Sequence, residues 1–153
     1  MSTIVQEIST ALETTIESVV TDLVKLDFII DAQKQFDNSR SLTNRYGVWP
    51  QGIVNTENIT KAYVVDHEYR VQLLREYANR DGTDSNQRTT TYDLYDDLDT
   101  IIKELHLGRA GCPGLILNIE FASASPVQFI DESDIVLLDA FFTVKYTRNM
   151  TWV

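Results

Sequence analysis

Apolar residues recur at two different periods along this chain, and the changes of period divide it into elements. Ile4, Ile8, Leu12 and Ile16 step by four, and Val19, Val20 and Leu23 continue the stripe. That spacing predicts a long amphipathic N-terminal helix, with Ser2 or Thr3 as its cap and Glu7, Glu13, Glu17 and Asp22 on other faces. A second stripe, formed by Leu94, Tyr95, Leu98, Ile101, Ile102 and Leu105, predicts another helix. Thr90 and Asp93 are placed to cap it, Asp96 and Asp97 follow in its first turns, and Gly108 is placed to end it.

Elsewhere the period falls to two. Residues 62 to 77 put Tyr63, Val65, Tyr69, Val71 and Leu73 on one face, with His67 on that apolar side. Asp66, Glu68, Arg70, Gln72 and Glu76 take the other, which reads as wet. Leu115 to Ser123 predicts a strand facing inward with Leu115, Leu117, Ile119 and Phe121. Ile135 to Tyr146 predicts a last strand, with Val136, Leu138, Ala140, Phe142, Val144 and Tyr146 on one side. These two strands pair as an antiparallel hairpin, interrupted by Pro126 and the acidic group Asp131, Glu132 and Asp134. Tyr46 to Trp49 is a short strand ended by Pro50 and Gly52. Residues 31 to 45, Gln51 to Thr60 and Asn79 to Thr91 are polar and aperiodic and read as loops, Gly108 to Gly114 as a turn, and Thr147 to Val153 as a tail that is loose until something binds it.

The expected architecture is α+β: a mostly antiparallel sheet with two helices packed on one face, in one domain spanning 1–153. The opposite sheet face, with Ile116, Asn118, Glu120, Leu137, Asp139 and Phe141, is half apolar and suggests a partner.

Composition narrows the function. The formal charge of −10 opposes a phosphate-gripping surface, and Lys and Arg form no cluster. No apolar run is long enough to span a membrane, and the N-terminus lacks a basic segment followed by an apolar one, so a cytoplasmic location is expected. Cys112 is the only cysteine and lies between Gly111 and Pro113, which suits a small packing residue better than a nucleophile. His67 and Glu68 begin like a zinc-protease motif, but Val71 stands where its second histidine belongs. Asp93, Asp96, Asp97 and Asp99 could suggest a metal-dependent nuclease, yet the polar face of a helix explains them more simply. The chain is therefore expected to be no enzyme and to need no cofactor or metal.

The segments TALETTIESVVTDLV, AYVVDHEYRVQLLREY, TTYDLYDDLDTIIKEL and the closing pair LILNIEFAS and DIVLLDAFFTVKYTRN resemble, in order and character, the tail terminator proteins of long-tailed bacteriophages. The resemblance implies a structural virion protein, assembled in the host cytoplasm and located at the head-proximal end of the tail. Its copies would form a ring, usually a hexamer, that caps the tail tube and ends its polymerisation. The implied partners are further copies of itself, the tail tube protein and a head-completion or neck protein. DNA would pass through the hole without specific binding. A head-closure or neck ring at the same junction is the alternative reading. Contacts between unlike faces of neighbouring copies need charged complementarity, which makes Arg80, Asp81, Asp84 and Arg88 the interface candidates, followed by Arg40 and Arg45.

Overall fold

A computed structural model describes residues 4–26, 44–60, 62–77, 84–108, 116–130 and 135–149. The elements run α1 (Ile4–Val19), β1 (Val24–Lys25), β2 (Arg45–Ile59), β3 (Ala62–Glu76), α2 (Asp84–Gly108), β4 (Ile116–Ala124), β5 (Gln128–Ile130) and β6 (Ile135–Asn149). The strands form one six-stranded sheet in the order β1-β2-β3-β6-β4, with β5 also on β6. The pairing of β1 with β2 is parallel, and the others are antiparallel. Both helices cover one face of this sheet, as the α+β pattern predicts.

The core lies between helices and sheet. Ile8, Leu12 and Ile16 of α1 and Leu94, Leu98, Ile101 and Leu105 of α2 are buried against Tyr46, Val48, Val65, Tyr69, Val71 and Leu73. The inward row of β6, from Val136 to Tyr146, completes the cluster. Two polar groups inside it are satisfied. The Nε2–H of His67 donates to the Gln51 carbonyl at 2.8 Å, which leaves Nδ1 to accept from the Tyr146 hydroxyl at 3.0 Å. Burial holds the Tyr146 phenol above its ordinary pKa, so it remains a donor. The Tyr46 hydroxyl reaches across to α1 and donates to Glu17 at 2.6 Å. Burial and that carboxylate raise the Tyr46 pKa well above the usual phenol range.

Several expectations are corrected. Pro50 and Gly52 do not end β2, which continues to Ile59 where a loop was expected. Register shifts between Pro50 and Ile53, and between Ile53 and Asn55, absorb the irregularity on a strand whose other edge pairs, among the described residues, only with β1. α2 begins at Asp84, so Asp84 to Thr91 is helix rather than loop, and Thr90 is an interior helical residue 9% exposed rather than a cap. Inside that helix the Thr91 hydroxyl donates to the Gln87 carbonyl, which removes its competition with the backbone. Tyr95 sits off the buried stripe and is 41% exposed. A register shift between Ile116 and Asn118 turns Ile116 inward and leaves Leu117 outside. Phe121 keeps the helix-side register, edge-on to Phe142 at 5.6 Å, yet is 40% exposed because β4 is an edge strand. After Pro126 the same edge resumes as β5, and Thr147 to Asn149 belong to β6 rather than to a loose tail. Residues 31–43, the turn at 109–114, the acidic group at 131–134 and residues 150–153 lie outside the described residues.

Candidate functional site

The face of the sheet turned away from the helices changes character along its length. At one end Leu26, Leu74, Ile135 and Leu137 form a small second apolar cluster, with Trp49 packed on it. Next to it lie Arg70, Gln72 and Asp139, contributed by β3 and β6. The side chains of Arg70 and Asp139 form a forked ion pair, Nε to Oδ1 at 3.0 Å and Nη2 to Oδ2 at 2.7 Å. Gln72 Nε2 donates to the same Oδ1 at 3.0 Å. Gln72 is fully buried and Asp139 is 8% exposed, so the expected wet face is closed over here. A forked, hydrogen-bonded pair is the arrangement that lets a carboxylate leave water at tolerable cost.

Trp49 stands opposite Arg70 in the β2–β3 register. Its ring lies so close over Gly47 that a Cβ there would come within 2.8 Å of it, which explains the glycine. Its indole Nε1 is buried and has no hydrogen-bond partner among the described residues. Farther along the face is a shallow open groove lined by Asp66, Asn118, Glu120, Thr143 and Lys145. Its carboxylates and its one lysine are polar enough to stay wet, and Lys145 lies 3.9 Å from Asp66.

The interface candidates do not converge on this face. Arg40, Arg80 and Asp81 lie outside the described residues. Asp84 opens α2, and Arg88 follows one turn later, exposed on that helix. Arg45 begins β2 opposite Leu74, at the apolar end of this face, and is half-buried. Sequence reasoning missed the sheet edges. β2 from Gly52 to Ile59 is exposed throughout, carries only Glu57 as a charge, and presents Ile53, Val54 and Ile59 to solvent. β4 is the opposite edge, with Leu117 and Phe121 exposed and only Glu120 charged. Sheet edges are usually blunted by charges, and among the described residues each of these stretches carries only one.

The helix carboxylates are placed for structure. Asp97 accepts from Arg75 Nε at 2.6 Å, and the same guanidinium reaches Asp22 with Nη1 at 2.8 Å. The Arg75 hydrogen bond draws the Asp22 pKa below the usual carboxylate value. Burial raises that of Asp97 against the pull of the same arginine. Asp93, Asp96 and Asp99 are exposed on α2. Among the described residues no group of three His, Cys, Asp or Glu side chains converges as a metal site. None of the described helices is long and apolar enough to cross a membrane. Cys112 lies outside the described residues.

No protein-family model matches the chain, and no curated protein matches it. Among solved structures it is similar to a chain of the "Virion of native gene transfer agent (GTA) particle". The two share 9% identity and superpose with a TM-score of 0.53, over 92% of this chain and 94% of that one. At this identity the likeness is one of fold.

Proposed function

We propose that this chain is a structural protein of a phage-like virion, and within it the subunit of a ring that caps the tail tube. The observation that carries the reading is the likeness, over nearly the whole of both chains, to a chain of a virion particle. The tail-terminator character of the sequence supports the finer assignment. The sheet edges supply the joint in this reading. Its four long strands β2, β3, β6 and β4 alternate in direction, so β4 of one copy would meet β2 of the next antiparallel, with helices kept on one side. Joining unlike edges in this head-to-tail way closes into a ring when the rotation permits. A formal charge of −10 per copy would keep passing DNA from adhering to the ring. The role is mechanical and requires no turnover.

Native mass spectrometry over a concentration series, with negative-stain microscopy of the same sample and of purified tails, tests this. A discrete hexamer with a central hole, bound to tube ends, supports the reading. Binding to portal-bearing heads instead of tube ends would replace it with a neck ring. Absence of any ring, with or without tails, would overturn it.

A further inference from the structure

The outer side of α2 carries Arg88, Tyr92, Tyr95 and Asp99, spaced i, i+4, i+7 and i+11, which makes one stripe along the helix. All four are exposed, Tyr92 by 62% and Tyr95 by 41%. The inward stripe of the same helix, Leu94, Leu98, Ile101 and Leu105, is already committed to the core. Tyrosine and arginine are the residue types that carry protein contacts most effectively, and here two tyrosines sit between two charges of opposite sign. Neither Arg88 nor Asp99 has an ion-pair partner among the described residues.

The order along the stripe is its own complement. Arg88 lies as far before the midpoint between Asp93 and Leu94 as Asp99 lies after it, and Tyr92 and Tyr95 are placed likewise. Two copies of the helix laid antiparallel about a two-fold axis through that midpoint bring Arg88 opposite Asp99 twice, at positions about 16 Å apart along the axis. Tyr92 meets Tyr95 twice at the centre. The flanking Asp96 falls opposite Thr91, so the register creates no like-charge pair there. An isologous contact requires this kind of self-complementarity. Two copies that each carry −10 also need neutralised pairs where they touch.

We propose that α2 is a homodimerisation surface through which two copies associate antiparallel about a two-fold axis. The partner is a second copy of this chain. The contact goes beyond the ring reading, because it makes pairs from like surfaces whereas the ring joins unlike ones.

Sedimentation velocity of the full chain at low salt, over a concentration series, tests the proposal, with circular dichroism to verify folding. The wild type is expected to dimerise. Arg88→Asp and Asp99→Arg alone each turn two attractions into two repulsions and should weaken the dimer by about tenfold or more. The double variant R88D/D99R restores opposite charges across the axis and should recover the dimer. A wild type that stays monomeric at its solubility limit overturns the proposal. So does a double variant as weak as the single ones. Rings that form equally well in all variants, with no dimer in any, would remove the α2 contact and leave the ring reading intact. Loss of rings with the α2 dimer preserved would do the reverse.

Discussion

The two faces of β6 share one backbone and alternate residue by residue, yet they meet different surroundings. On the helix side Val136, Leu138, Ala140, Phe142, Val144 and Tyr146 are all 0–1% exposed. On the other side Ile135 and Leu137 are buried in a small cluster, Asp139 is locked to Arg70, and Lys145 is exposed beside a wet groove. The first face is uniform because it meets two helices along its whole length. The second grades from apolar through ion-paired to wet, and its exposed residues lie toward its wet end and along the exposed stretches of β2 and β4. The lesson is that one side of the sheet answers to folding alone, while the other is free to answer to assembly.

Truncation on the two faces should separate these roles most strongly. Phe142→Ala removes a side chain 1% exposed that packs edge-on with Phe121, and is expected to cost about 3–5 kcal/mol. Its neighbour Phe141, half-buried on the opposite face, should cost about 1 kcal/mol or less when changed to Ala. Urea unfolding followed by circular dichroism measures both. Equal losses would break the comparison, since the second face would then be as much core as the first.

The parts of this fold that were legible in the sequence are those that bury one side. α1, β3 and β6 each set an apolar row against a single surface, and the period shows it. The distal part of β2 buries neither side, so Ile53, Val54 and Ile59 fall in no pattern and the strand resembled a loop. The first turns of α2 are legible only from Thr90 inward, because Asp84 to Thr89 are all polar and mark no period. In β4 a register shift replaces the period of two with buried Ile116 and Ile119, three apart. The closing of the polar face could not be read locally, since Arg70 and Asp139 are 69 residues apart and only pairing of β3 with β6 joins them. The candidate interface residues rest on charge within polar, aperiodic segments, which distinguishes an interface from an ordinary solvated loop poorly. The stripe on α2 and the bare edges needed the fold to be seen.

The ion pair on the second face gives the next largest effect. Asp139→Leu removes the carboxylate that accepts from both the Arg70 guanidinium and the Gln72 amide. For a fully buried pair the loss would be about 3–5 kcal/mol, and because Arg70 keeps 23% side-chain exposure about 2 kcal/mol is expected here. The paired variant R70M/D139L should recover most of that loss, because apolar residues of similar size suit a site already beside Leu137 and Trp49. Thermal melts of the two variants, compared with wild type, read this directly. If the paired variant melts as low as the single one, the polar pair is part of the architecture, and the second face is less free than the comparison makes it.

The smallest effect lies on the helix side, where a charge contributes to a face otherwise made of apolar contacts. Arg75 holds Asp97 and Asp22 together, joining β3 to α2 and to the turn after α1. The Asp22 pKa is depressed in the folded state by the Arg75 hydrogen bond. A depressed carboxylate contributes stability that is present above its unfolded pKa, about 3.9, and is lost as pH falls through the lower folded value. Asp97 carries the opposite sign. Burial raises its pKa, so protonating it as pH falls favours the folded state and offsets part of the loss. With the Asp22 side chain 56% exposed, its share is expected to be below about 1 kcal/mol and to shrink with salt. Asp22→Asn should therefore melt slightly below wild type at pH 6, and the gap should begin to shrink below about pH 4 and close as pH falls through the lowered folded value, where wild-type Asp22 also loses its charge. A gap that stays constant across this range would mean that the loss on replacing Asp22 does not come from its charge.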